Sequence, residues 1–194
     1  TYQQELGSIS DKVVRNLALA LYIANLAELP DNQRTTLAEL VTLSKFDLAT
    51  TMVIEFTELQ GYVGEQYALK WGIEPTLASD IADHYKPSHT GDSLPSSLLA
   101  RITSIADKLD SIVGHFAMGH IPSGSYDPYA LRRQANGVIQ IILETPELTC
   151  DLSPLLEKAL ANLPLAEIPA GTKGKLEEFL AGRLDTSLRG RGIP

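Results

Sequence analysis

Apolar residues in this chain recur every three or four positions almost without a break, and that period sets its fold class. The clearest case is Leu98, Ile102, Ile105, Leu109, Ile112 and Val113, which share one face of a long helix predicted from Ser96 to Phe116. Val13, Leu17, Ala20, Leu21 and Ala24 predict another, from Ser10 to Leu29, stopped by Pro30. Asp31 or Asn32 is placed to cap the next, whose stripe is Leu37, Leu40, Val41 and Leu43. Further helices are expected over Leu48 to Phe56, Leu59 to Trp71 with Gly72 as its C-terminal cap, and from Pro75 to a point before Pro87.

Turn formers fill Pro87 to Pro95, and a second loop runs from Gly119 to Ser125. Asp127-Pro128 then reads as a helix start leading to Glu144, and Ser153-Pro154 as another. Pro164 to Gly174 is a linker, an amphipathic helix covers Lys175 to Leu188, and Arg189 to Pro194 is a frayed tail. Strand alternation is nowhere convincing and no internal repeat is visible. The expectation is an all-α fold of eight or nine helices, with Leu17, Leu21, Leu40, Ile81, Ile105, Leu109, Ile112, Leu131 and Ile139 in the core.

Charge and composition exclude several functions. With 16 basic and 24 acidic residues among 194, the chain carries a net charge of −8, so it is no general electrostatic trap for nucleic acid. Any RNA contact needs a local basic patch. The single cysteine, Cys150, rules out an internal disulfide and a Cys-rich zinc site, and fits a reducing compartment. No apolar run reaches the ~18 residues that span a bilayer, and Leu17 to Ala24 lacks the flanks of a signal peptide. No membrane association is expected. The chain opens at Thr1 rather than Met, which is read as a piece of something longer.

Three stretches carry a family resemblance. Ser44-Lys45-Phe46-Asp47-Leu48-Ala49-Thr50-Thr51-Met52-Val53-Ile54-Glu55-Phe56-Thr57-Glu58-Leu59-Gln60-Gly61 resembles the beta subunit of bacterial-type glycyl-tRNA synthetase. Ala106-Asp107-Lys108-Leu109-Asp110-Ser111-Ile112-Val113-Gly114 continues the match, as does Gly124-Ser125-Tyr126-Asp127-Pro128-Tyr129-Ala130-Leu131-Arg132-Arg133. Their order and their spacing through Asp92-Ser93-Leu94-Pro95 agree. His115, His120, Gln134 and Asn136 depart from the family pattern.

The resemblance implies a fragment of a longer subunit: a multi-helix HD-like domain over residues 1–163, then a linker and C-terminal helix (164–194) leading towards an absent anticodon-binding domain. It implies a non-catalytic role in binding glycine tRNA within a cytoplasmic alpha/beta ligase whose alpha subunit uses ATP and Mg. No catalytic residue, cofactor site or metal ligand is expected in this chain. Active HD phosphohydrolases hold their metal with histidines and aspartates. Here Phe46-Asp47 stands in the place of the His-Asp pair, and Asp107 in that of the distant Asp. No His occurs around Asp11 to Asn16. Asp47 and Asp107 are then fold anchors facing Lys45, Arg132 or Arg133. The alternatives are a metal-dependent HD-type phosphohydrolase and a purely structural scaffold between domains.

Other polar residues leave two readings open. His84, four residues after Asp80, either ligates a metal or sits half-buried on a backbone carbonyl. His115 and His120 have no recognised metal spacing, so ordinary loop contacts are expected. Arg132 and Arg133 point about 100° apart on a helix. One is expected to pair with Asp107 or Asp110, while the other is free to meet a phosphate of tRNA. The basic residues from Lys173 to Arg191 are a solvated face or the edge of a missing domain. Tyr22, Tyr62, Tyr67 and Trp71 are expected in the core.

Overall fold

The computed structural model describes residues 5–149 and 151–192; Cys150 and the end of the tail lie outside them. Among the described residues there are nine α-helices and no strand. They are α1 (Ile9–Leu26), α2 (Asp31–Leu43), α3 (Thr51–Glu55), α4 (Tyr62–Lys70), α5 (Pro75–Asp83), α6 (Leu98–Ala117), α7 (Leu131–Leu143), α8 (Leu152–Ala161) and α9 (Thr172–Gly190). Two short 3₁₀ turns, Phe46–Ala49 and Thr57–Leu59, flank α3.

Most boundaries follow from local chemistry. Ser8 and Asp11 form a reciprocal capping box that starts α1. Glu74 caps α5 through the Leu77 amide, with Pro75 at its first position. Ser97 caps α6 through the Ala100 amide. Gly72, at φ +81°, ends α4, and the Ile73 amide reaches back to the Ala68 carbonyl.

Several boundaries differ from the sequence expectation: α4 starts at Tyr62 after a 3₁₀ turn at Thr57–Leu59, α9 runs from Thr172 to Gly190 into both the expected linker and the expected tail, and four more differ for reasons visible in the backbone. Helix α1 stops before Pro30 is reached: Glu28 turns left-handed at φ 52° and the Leu29 amide bonds the Ala24 carbonyl. Neither Asp31 nor Asn32 caps α2, because Pro30 is already the N-cap and Asp31 the first helical residue. The helix expected over Leu48 to Phe56 is a 3₁₀ turn and a five-residue helix, separated where Thr50 goes extended to cap α3. The Asp127-Pro128 start lies three residues early. Ala130 is left-handed, α7 begins at Leu131, and the Asp127 carboxylate still accepts the Leu131 and Arg132 amides at 2.8 and 3.0 Å.

Helix α6 is the axis of the fold, buried over most of its circumference by α1, α2, α5, α7, α8 and α9. One apolar cluster joins α1, α2, α6, α7, α8 and α9, and a smaller one under α4 and α5 is centred on Leu40, Ala68 and Ile81. Beyond the 164–171 connection, α9 returns Leu176 and Leu180 to the main cluster and sets Phe179 5.0 Å from Phe116.

Leu40, Ile81, Ile105, Leu109, Ile112, Leu131 and Ile139 are core residues, as expected. Leu17 and Leu21 are not. Helix α1 is rotated so that Lys12, Arg15, Asn16, Leu19, Ala20, Ile23 and Ala24 face inward. Tyr62 and Trp71 are also outside the core, 58% and 63% exposed, with Trp71 resting on Phe46 at 5.0 Å.

Candidate functional site

The inward rotation of α1 creates the main polar feature, a charged layer sealed inside the helices. Lys12, Arg15 and Asn16 sit one turn apart on α1 and meet Asp107, Asp110 and Ser111, spaced the same way on α6. Arg15 grips Asp110 with two nitrogens, Nε at 2.6 Å and Nη2 at 3.1 Å, and donates a third bond to the Leu6 carbonyl. Lys12 Nζ lies 3.0 Å from Asp110 Oδ2, 3.3 Å from Asp107 Oδ1 and 2.8 Å from Ser111 Oγ. Lys45, just after α2, brings its ammonium 2.7 Å from Asp107 Oδ2 and 4.0 Å from the centre of the Tyr85 ring. Asn16 donates to Asp107 Oδ1 at 3.0 Å, the oxygen that Lys12 also faces.

The electrostatics follow from this packing. Burial disfavours ionised Asp107, yet Lys12 and Lys45 outweigh it and hold the carboxyl well below its usual range. Burial pulls Lys45 below the usual lysine value, with Asp107 opposing. Lys108 is brought down to about 8 by burial, its ammonium caged by the Tyr85 and Lys86 carbonyls and Ser104 Oγ.

Asp47 sits elsewhere. Its carboxylate accepts the Gly61 amide at 2.7 Å and the Tyr85 hydroxyl at 2.9 Å, tying the chain after α2 to the start of α4 and the end of α5. Gly64 permits this approach, since a Cβ there would lie 3.1 Å from Ile81 Cγ2 and 3.4 Å from Asp47 Cβ. Phe46, beside it, is half-buried under Trp71. Asp47 is held by neutral donors, whereas Asp107 is held by lysines and an amide.

His84 is fully buried rather than half-buried, and its Nδ1 meets the Ile81 carbonyl at 2.6 Å. That contact requires a proton on Nδ1. Burial, then the charge of Lys45, keeps the ring neutral, and Nε2 has no hydrogen-bond partner among the described residues. His115 and His120 meet, Nδ1 to Nδ1 at 3.3 Å, with the Tyr129 ring stacked 3.9 Å from His115. Burial and the neighbouring His120 bring His115 down to about 4.

This donor set does not fit a divalent ion. Both Asp107 oxygens are taken by ammonium and amide donors, and the Asp47 oxygens by an amide and a hydroxyl. Lys45 places a fixed positive charge against the carboxylate where a metal would approach. Among the described residues, no group of three His, Cys, Asp or Glu is arranged to hold a metal.

The arginine pair lies on the outside. The expected pairing with Asp107 or Asp110 does not occur, because Lys12, Lys45 and Arg15 already occupy both acids. Among the described residues, neither Arg132 nor Arg133 has a carboxylate within ion-pair distance. Arg132 is half-buried in a groove with Lys175, Glu178 and Arg183, while Arg133 is exposed and lines a different cleft.

Lys12, Arg15 and Asn16 are what sequence reasoning missed. The available signal was their i, i+3, i+4 spacing, continued by Leu19, Ala20 and Ile23 and matched by Asp107, Asp110 and Ser111.

The fold and this layer define a helical domain organised around ion pairs. The whole chain, residues 1–194, matches the family described as glycyl-tRNA synthetase beta subunit. The chain therefore belongs to the glycyl-tRNA synthetase beta subunit family. It is 45% identical over 99% of its length to the glycine–tRNA ligase beta subunit of Halothermothrix orenii, and 42% over its full length to that of Natranaerobius thermophilus. The Gloeothece citriformis beta subunit is 40% identical over 97% of the chain. The chain spans 28% of the length of the first two relatives and 26% of the third. No helix among the described residues is long and apolar enough to cross a membrane.

Proposed function

We propose that this chain is a non-catalytic, HD-like helical domain of a glycine–tRNA ligase beta subunit, supporting tRNA binding while an alpha subunit performs the ATP- and Mg-dependent chemistry. On this reading residues 1–163 are the HD-like body, and 164–194 lead on to the remainder of the beta subunit in the cytoplasm. The chain itself holds neither metal nor cofactor. The carrying observation is the engagement of Asp107 by Lys12, Lys45 and Asn16. It supports a binding role over the phosphohydrolase reading, which needs imidazole ligands and an open coordination position. The guanidiniums of Arg132 and Arg133, with no carboxylate partner among the described residues, support RNA contact over a purely structural scaffold.

The test uses the assembled alpha/beta enzyme carrying Arg132→Glu and Arg133→Glu together, with folding verified by thermal denaturation. The expected result is a raised KM for tRNA, by about tenfold per lost charge-assisted contact, with glycine-dependent ATP–pyrophosphate exchange unchanged. An unchanged KM for tRNA removes both arginines from the RNA interface. Loss of the exchange reaction contradicts the non-catalytic role.

A further inference from the structure

The cleft that Arg133 lines is distinct from the groove at Arg132. It is about 290 Å³, near the lower end of ligand-pocket sizes. Three segments form it: the outer face of α7, the end of α9, and the loop at residues 87–91. Arg133, Asn136 and Gln140 are spaced i, i+3, i+7, so one face of α7 presents a guanidinium followed by two amides. The loop brings His89, and α9 brings Ser187 and Arg191. Gly137 lets the loop lie directly on α7: a Cβ there would come within 3.2 Å of Pro87 Cγ and 3.1 Å of Lys108 Cε.

Among the described residues no carboxylate lines this cleft, in a chain with 24 acids against 16 bases. At the rim, Asp92 lies near enough to His89 to interact with its charge, and Glu144 Oε1 takes Arg191 Nη2 at 2.6 Å. That bond leaves the other guanidinium nitrogens of Arg191 able to donate. Arg133 is exposed and has no carboxylate partner among the described residues. The Arg132 groove, in contrast, contains Glu178.

We propose that this cleft is a phosphate-binding site, with Arg133 and Arg191 as the charged donors and His89, Asn136, Gln140 and Ser187 as polar partners. Planar guanidiniums suit phosphate oxygens, and neutral amides and hydroxyls complete the set without opposing charge. The inference rests on the function proposed above only for the owner of the phosphate, an RNA backbone rather than a free anion.

Two measurements test it. Affinity for glycine tRNA is measured across salt concentrations for the complete beta subunit with its alpha partner, comparing wild type with Arg133→Gln, Arg191→Gln and Arg132→Gln. Arg133→Gln and Arg191→Gln should each weaken binding about tenfold and reduce the salt slope by about 1, and Arg132→Gln, a separate RNA contact outside this cleft, should weaken tRNA binding likewise. In parallel, inorganic phosphate is titrated into the ¹⁵N-labelled chain, and the amides of residues 133–140 are followed by NMR. Saturable shifts that Arg133→Gln abolishes support the site. With those shifts but tRNA affinity unaffected by Arg133→Gln, the site stands as a free-phosphate site and its RNA assignment fails. If wild type binds no tRNA while phosphate still saturates these amides, the proposed function fails and the site survives. If neither ligand responds to Arg133→Gln, the site is overturned, even where tRNA still binds.

Discussion

Asp107 lies in a motif visible in the sequence, yet its partners Lys12 and Asn16 stand more than ninety positions away. A hydrophobic period cannot detect a buried charge, so the lysine and the amide read as surface residues until α6 is set against them. Once paired, they are costly to disturb. Asp107→Asn keeps the side chain's shape but leaves Lys12 and Lys45 facing each other without the carboxylate. We expect a loss of about 3–5 kcal/mol in urea denaturation, the range for breaking a buried pair. The pH dependence has a definite sign. Asp107 titrates well below its usual range, so its contribution persists above the unfolded value and disappears only in strong acid. The histidines respond earlier. His115 is lowered from 6.5 to about 4, so in that interval the unfolded chain binds the extra proton and stability is lost as the pH is lowered from 6.5 towards 4. Denaturation midpoints measured across that interval should decline for wild type and decline less for His115→Gln.

At the scale of elements, helix existence was legible and helix orientation was not. Pro75, Ser97 and Gly72 mark their boundaries through backbone chemistry that needs no tertiary partner. Helix α1 has apolar residues on two sides, and the side that packs is decided by the charges at its start. Val13, Leu17 and Leu21 form a plausible stripe, but pairing of Lys12 and Arg15 with α6 turns Leu19 and Ile23 inward instead. Leu19→Ala and Ile23→Ala should each cost about 2–5 kcal/mol, while Leu17→Ala and Leu21→Ala should cost clearly less, because both remain partly exposed. Equal losses at Leu17 and Leu19 in chemical denaturation would contradict the orientation. The α7 boundary has a similar cause. Asp127 caps the helix from a distance while Tyr129 is drawn against His115, so the chain makes a left-handed turn at Ala130 before the helix begins.

For the whole molecule, the polar interior is an ion-pair layer in which lysine and amide donors take both oxygens of Asp107. Phe46 and the lack of His around Asp11 to Asn16 are legible in the sequence, but the pairing of Asp107 is not, since it depends on Lys45 reaching from just after α2 to α6. The same side chain ties the end of α2 to α6. The most direct test is thermal denaturation of the chain in EDTA and in millimolar Mn²⁺, with phosphomonoester hydrolysis assayed on the same samples. This layer predicts one Tm in both conditions and no turnover. A Tm raised by Mn²⁺, with hydrolysis that Asp107→Ala abolishes, would contradict it.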